Sequence, residues 1–446
     1  MLLFFFLRTV RFGVLCLEPR SVSETFLLGL EVWTKETKET WGRLYSLVSA
    51  LREKRPSRRA PEVVDALVLW QYGLAVERRC GGQEEGRVAC FTAEEAAFCR
   101  WCWRCASSAY GFVALKPLGM LPGVLPSMTK NDLAIASRCP EVTVERGLRK
   151  GDSSAPAFFV GYGDQGAVVA VRGTADPGDL ALDLDCQNES LLHHAGMVHA
   201  AEVVAREATA AIVEALKKAP RGSPLVFTGH SLGGGVALLL ASTIDLGQDV
   251  EAELRKGRHC VRAVAFAPPP VIDLKGQQKN YFKRPSKLET YYLENDLVPH
   301  LSVASVTDFA SKLDSLDEAL TPRARYEFLL RRALRQDDTE DADLIQAVDH
   351  ALRKKKQQQI RHKSSSLTFP GTVYCLDRSG VCRKQRAPHK PEIQIHRASV
   401  IDHFLPTIEK SIDTWYNARA SAASTLRGGP EKRPHHHSRK KRQQFR

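Results

Sequence analysis

The stretch Pro224-Leu225-Val226-Phe227-Thr228-Gly229-His230-Ser231-Leu232-Gly233-Gly234-Gly235 decides how the rest of the chain is read. Residues 224–228 are a short apolar run of the kind that forms a buried strand, and residues 232–246 continue as an apolar helix. Between them stands one serine with a glycine two positions away on each side. Glycine has no Cβ, so the chain can turn from strand to helix tightly enough to expose the serine oxygen. The helix that follows directs its free N–H groups and partial positive charge at that oxygen. Ser231 is therefore the candidate nucleophile, and the backbone N–H of Leu232 a candidate oxyanion donor. The alternative is a helix-start serine that only caps.

Outward from this point, short apolar runs alternate with helices. Residues 157–162 and 167–171 read as strands joined by Gly163-Asp164-Gln165-Gly166. Residues 195–218 read as a helix, and 261–265 and 288–293 as strands. Sheet character returns at 371–376, with a turn at 377–380, a strand at 392–396 and a closing helix at 400–416. This rhythm predicts an α/β-hydrolase fold: a mostly parallel central sheet flanked by helices, with a charged helical insertion. The insertion covers about residues 303–365, which are charged, of mixed sign and carry a Lys/Gln run at 354–359. The expected organisation is an N-terminal helical extension over 1–90, a hydrolase domain over 91–417 and a basic disordered tail over 418–446.

The 446 residues suit one α/β domain with appendages, and a hydrophobic fraction of 43% supplies a sizeable core. Net charge is +13, concentrated in the tail from Lys432 to Arg446. Such a run stays solvated or meets an anionic membrane surface, and no nucleic-acid partner is expected. The eleven cysteines are irregularly spaced and read as reduced thiols of a cytoplasmic or peripheral membrane protein. The apolar start is interrupted by Arg8 and Arg11, and residues 2–7 fall far short of the about 20 a bilayer span needs. Cys99, Cys102 and Cys105 sit at spacings of three in a helix over 92–110. They read as small apolar core residues, because a zinc site also draws ligands from a turn.

A serine nucleophile of this fold needs an acid and then a histidine, in that chain order. Asp296 follows the strand 288–293, where such an acid belongs, although Asn295-Asp296 before Pro299 is also turn-forming. Before the basic tail, six histidines follow Asp296: His300, His350, His362, His389, His396 and His403. His300 is too close to the acid, and His350 and His362 lie in the insertion. His396, at a strand end, and His403, at the opening of the last helix, both stay in play.

Several stretches, in order, resemble the class three lipases, with the diacylglycerol lipases as the nearest branch. These are Val168-Val169-Ala170-Val171-Arg172-Gly173-Thr174, residues 179–184, His194-Ala195-Gly196-Met197, Thr228 to Gly235 and residues 263–268. Asn295-Asp296-Leu297-Val298-Pro299 and Asp402-His403-Phe404-Leu405-Pro406 complete the series. The resemblance implies Asp296 as the acid and selects His403 as the base, with His396 as the reserve. It implies Thr174 beside Leu232 in the oxyanion hole, structural roles for His194 and Asp183, a glycerolipid substrate, and no metal or organic cofactor. The activity it implies is serine-dependent hydrolysis of lipid esters through an acyl-enzyme. The chain departs from the family in showing no multispanning region and little room between Leu184 and His194 for a helical lid. The insertion is placed like the regulatory insert of diacylglycerol lipases. The rival expectation is a catalytically weak lipase-fold protein that serves as a membrane-binding or scaffold module.

Overall fold

The parallel pairing that the apolar runs predict is present. The computed structural model describes residues 86–111, 129–146, 156–173, 195–273, 282–302, 367–386 and 401–427, with a few isolated positions between 304 and 350 and the pairs 392–393 and 398–399. In chain order these form β1 (Arg87–Val88), α1 (Ala93–Ser108), α2 (Lys130–Ser137), β2 (Glu141–Arg146), β3 (Phe158–Gly163) and β4 (Gly166–Val171). Then come α3 (Ala195–Lys218), β5 (Leu225–His230), α4 (Leu232–Ser242), α5 (Gln248–Gly257), β6 (Val261–Phe266), β7 (Ile272–Asp273) and β8 (Ser286–Leu293). The last are β9 (Leu367–Thr368), β10 (Thr372–Leu376), β11 (Cys382–Lys384) and α6 (Leu405–Arg427).

Among the described residues one sheet has the order β1-β11-β10-β8-β6-β5-β4-β3-β2. Its centre, β4, β5, β6, β8 and β10, is parallel throughout. Antiparallel strands close both edges, β3 and β2 on one side and β11 and β1 on the other. This is the α/β-hydrolase arrangement.

The two faces of β5 show why helices cover both sides. Successive side chains point opposite ways. Thr228 donates from Oγ1 to the carbonyls of Cys102 (3.3 Å) and Val264 (2.7 Å), and His230 meets the Trp103 ring edge-on, so this face looks at α1. Gly229 lies on the other face, where an added Cβ would strike the backbone of Gly233 in α4. Helix α4 is apolar around its whole circumference and buried from Gly233 to Ser242, as a helix between a sheet and a second helix must be. That second helix is α3, while α6 packs on α1. Cys99, Cys102 and Cys105 are buried in the core on α1, as small apolar residues would be.

Several expectations are corrected. Helix α4 stops at Ser242, before residue 246, where Arg284 reaches in and takes one carbonyl of its last turn and one just beyond it. Its Nη1 donates to Leu240 O (3.0 Å), its Nη2 to Ile244 O (2.9 Å) and its Nε to Glu251 Oε1 (2.8 Å). Of the strand expected over 392–396, residues 392 and 393 are in no strand, and 394–396 lie outside the described residues. The closing helix runs from Leu405 to Arg427, so the start of the expected tail is helical. Helices α2 and α5 and strand β2 were not foreseen. Residues 1–85, nearly all of 303–365 and 428–446 lie outside the described residues, and with them most of the N-terminal extension, the insertion and the basic tail. Among the described residues no helix is long and apolar enough to cross a membrane.

Replacing Arg284 by Met should destabilise the protein by about 3 kcal/mol, at ~1–3 kcal/mol for each buried carbonyl left without a donor. Urea denaturation reads this as a lower midpoint, and an unchanged midpoint would refute the role given to Arg284.

Candidate active site

Ser231 sits between β5 and α4 with φ 57° and ψ −132°, a backbone conformation that side-chain-bearing residues rarely adopt. Its surroundings hold it there. Its N–H donates to Phe266 O (2.9 Å), and its carbonyl accepts from Gly234 N (2.9 Å) and Gly235 N (3.2 Å). Its hydroxyl makes no capping hydrogen bond. Instead Ser231 Oγ lies 3.0 Å from His403 Nε2.

The candidate acid comes from the end of β8, three strands of chain away but two neighbours over in the sheet. Asp296 N donates to Leu293 O (2.9 Å), which closes the turn, and Asp296 Oδ1 accepts from Val298 N (2.9 Å). His403 Nδ1 lies 3.0 Å from Asp296 Oδ2 and 3.1 Å from Oδ1. A carboxylate there holds the proton on Nδ1, which leaves the Nε2 lone pair facing the serine hydroxyl. Ser231, Asp296 and His403 are exposed by only 3%, 1% and 6%, so bulk water screens little of this contact. Burial pushes the Asp296 carboxyl above its ordinary range, against the opposing pull of His403 and the Val298 amide. The arrangement can withdraw a proton from a serine hydroxyl and store the resulting charge.

Leu232 opens α4, so its N–H belongs to the first turn, where no intrahelical acceptor exists. Thr174, Asp183, His194 and His396 lie outside the described residues. Of the other histidines, His350 is exposed and His300 packs edge-on against Tyr292 (centroids 5.7 Å apart).

A second imidazole lies beside the candidate base. The His230 ring lies over the His403 ring, centroids 4.6 Å apart, and its Nδ1 is 2.9 Å from the Tyr110 hydroxyl. Burial, and then the nearness of His403, push its pKa well below the ordinary histidine value, so it stays neutral beside the candidate base. Nothing in the spacing of Tyr110 and His230 signals this contact. The same holds for Asn295 and Arg378, which both meet Asp402.

Residues 168–306 match the family model for lipase (class 3). By this match the segment is similar to the class 3 lipases. It contains Ser231 and Asp296, and His403 follows it in the chain. Diacylglycerol lipase-beta of Mus musculus is 32% identical to this chain over 160 residues, which is 33% of this chain and 22% of that protein. The chain thus matches about a fifth of that relative's length. Among solved structures, the Rhizomucor miehei lipase propeptide complex aligns at 16% identity and a TM-score of 0.42, over 72% of this chain and 83% of that one. A triacylglycerol lipase from Penicillium expansum aligns at 12% identity and a TM-score of 0.39, over 74% and 100%.

A histidine held neutral by burial favours the folded state above its unfolded pKa, and that stability is lost as pH falls below it. Wild type should therefore lose stability from about pH 6.5 downward, by up to ~1.4 kcal/mol per pH unit for this one proton. His230→Gln should lack that component. Urea midpoints at pH 7.5 and 5.5 measure both, and equal acid slopes would show that His230 does not carry it.

Proposed function

We propose that the chain is a serine-dependent hydrolase of lipid carboxylic esters. The observation that carries this reading is the unbroken contact from Ser231 Oγ through the His403 imidazole to the Asp296 carboxylate, at 3.0 Å on each side. In the proposed reaction Ser231 Oγ attacks the ester carbonyl while His403 Nε2 takes its proton. The carbonyl oxygen becomes an anion that the amides of Leu232 and Thr174 stabilise. Collapse of this intermediate expels the alcohol, which takes the proton back from His403, and leaves an acyl-Ser231 ester. Water, deprotonated by His403, then releases the fatty acid and restores the serine. Asp296 keeps the imidazole in the working tautomer and stabilises the imidazolium, and each step is carried by side chains and backbone amides alone.

The proposed substrate class is acylglycerols. It is supported by the lipase family of residues 168–306 and by the diacylglycerol lipase named among the relatives. Ser231 should label with a fluorophosphonate probe, and Ser231→Ala should abolish both labelling and ester hydrolysis. In well-studied serine hydrolases such a loss reaches about 10⁶-fold. His403→Ala should be nearly as damaging, and His396→Ala far milder. A folded wild type that neither labels nor cleaves any acylglycerol would favour the rival reading, a lipase-fold scaffold.

The Lys- and Arg-rich stretch from residue 432 onward is proposed to hold the enzyme at anionic membranes, since each cation near such a surface contributes about 1 kcal/mol, less in salt. Truncation after residue 426 should reduce co-sedimentation with phosphatidylserine vesicles. Equal binding by both chains would refute that role.

A further inference from the structure

The dipeptides Asn295-Asp296 and Asp402-His403 lie side by side and pair twice. One rung joins Asp296 to His403. The next joins Asn295 to Asp402, with Nδ2 donating to Oδ2 over 3.2 Å. Beside them Leu297 N donates to Ser399 O (3.1 Å), and Asp402 N to Ala398 O (2.8 Å). The loop that delivers the candidate base is therefore sewn to the loop that delivers the acid.

Asp402 is exposed by only 1%, and a buried carboxylate needs compensation. Arg378 provides it from the turn between β10 and β11. Its Nε donates to Asp402 Oδ1 over 2.8 Å, and its Nη2 reaches the same oxygen. The turn is itself fixed: Asp377 Oδ1 accepts from Ser379 N and Val381 N (2.9 Å each), and Asp377 Oδ2 pairs with Arg383 Nη1 (3.2 Å). Strand β10 runs parallel to β8, with Leu376 opposite Leu293 and Glu294 N donating to Leu376 O (3.0 Å). Arg378 and Asp296 thus hang from neighbouring strand ends.

We propose that Arg378 and Asp402 are a positioning pair: they lock the loop bearing His403 against Asp296 and cancel a second buried negative charge beside that couple. This inference rests on the reading of His403 as the base. The groups around His403 are Asp296, Ser231, the neutral His230 and its own neighbour Asp402. Those around Asp402 are Arg378, Asn295 and Asp296, with Glu294 at the end of β8 and the Asp377–Arg383 pair in the turn. Arg378 is the cation in direct contact with Asp402 among the described residues, and Asp402 already acts on Asp296 by like-charge repulsion.

Opposite signs follow for the two partners. With Arg378→Gln the uncompensated Asp402 favours imidazolium, so the acid limb of the kcat/KM profile moves to higher pH. With Asp402→Asn the stranded guanidinium disfavours imidazolium, and the limb moves to lower pH. Each shift should be several tenths of a unit, up to about one. The double variant should return the limb close to wild type. Arg378→Lys, which keeps the charge and loses the planar fork, should leave the limb in place and lower kcat. Each single variant should lose about 10- to 100-fold in kcat/KM at neutral pH through misplacement of the base.

The test is p-nitrophenyl butyrate hydrolysis from pH 5 to 9 by the full chain and the four variants, with circular dichroism to confirm folding. Opposed shifts that cancel in the double variant support the pair. Limbs that stay fixed while activity falls in every variant overturn it, because a merely structural contact would do that. Should Asp402→Asn fail to fold, Arg378→Gln decides alone: Arg378 is half-exposed on its turn, and an unmoved limb in that variant overturns the pair. A wild type that neither labels with fluorophosphonate nor cleaves the ester overturns the hydrolase reading and this pair with it. An active wild type with unmoved limbs overturns the pair alone.

Discussion

Everything at this site depends on how closely β5 and α4 approach each other at Ser231. Gly229 and Gly233 meet backbone to backbone, and Gly233 also lies against the carbonyl of Val171 at the end of β4. Any side chain at either position would push helix from strand and relax the positive φ of Ser231. Such strained residues cost ~1–3 kcal/mol each and persist only where their surroundings over-determine them. Here the surroundings are a fully buried apolar helix on one face and a strand paired on both edges. The core thus offsets a local penalty whose product is a serine hydroxyl aimed at His403.

The second constraint is electrostatic. Asp296 and Asp402 are both nearly inaccessible, and His230 is packed on His403. Two carboxylates and two imidazoles in so small a volume are tolerable only if their charges are apportioned. His230 stays neutral, Asp296 faces His403, and Asp402 faces Arg378. An aromatic row leads from the strand next to the elbow: Phe266 stacks on Tyr291 (5.9 Å), and Tyr291 on Tyr374 (4.9 Å). Low local dielectric strengthens each pairing and also makes each unpaired charge costly.

Much of the fold was legible because the parallel strands are short apolar runs with strong turn residues at their ends. Residues 157–171 show it: Gly163 and Gly166 pair across the two-residue turn that their sequence announces. Helix α3 matches its expected bounds, since a long amphipathic period leaves little doubt. The misses were elements without such patterns. Helix α5 is short and mostly polar, β11 is only three residues long and owes its place to the edge of β10, and the end of α4 is set by Arg284 from the bend before β8.

By itself the sequence determined the elbow, because Gly-x-Ser-x-Gly between an apolar strand and an apolar helix specifies local geometry through the absence of Cβ atoms. It also ordered the candidate nucleophile, acid and base along the chain. Only the tertiary structure decided which groups touch. Asp296 and His403 are brought together by parallel strands and a closing loop, and Arg378 meets Asp402 because β10 lies next to β8. Tyr110 reaches His230 because α1 crosses that face of the sheet. Local spacing encodes turns and periods, whereas contacts between residues a hundred positions apart depend on strand order, which burial of the whole sheet selects.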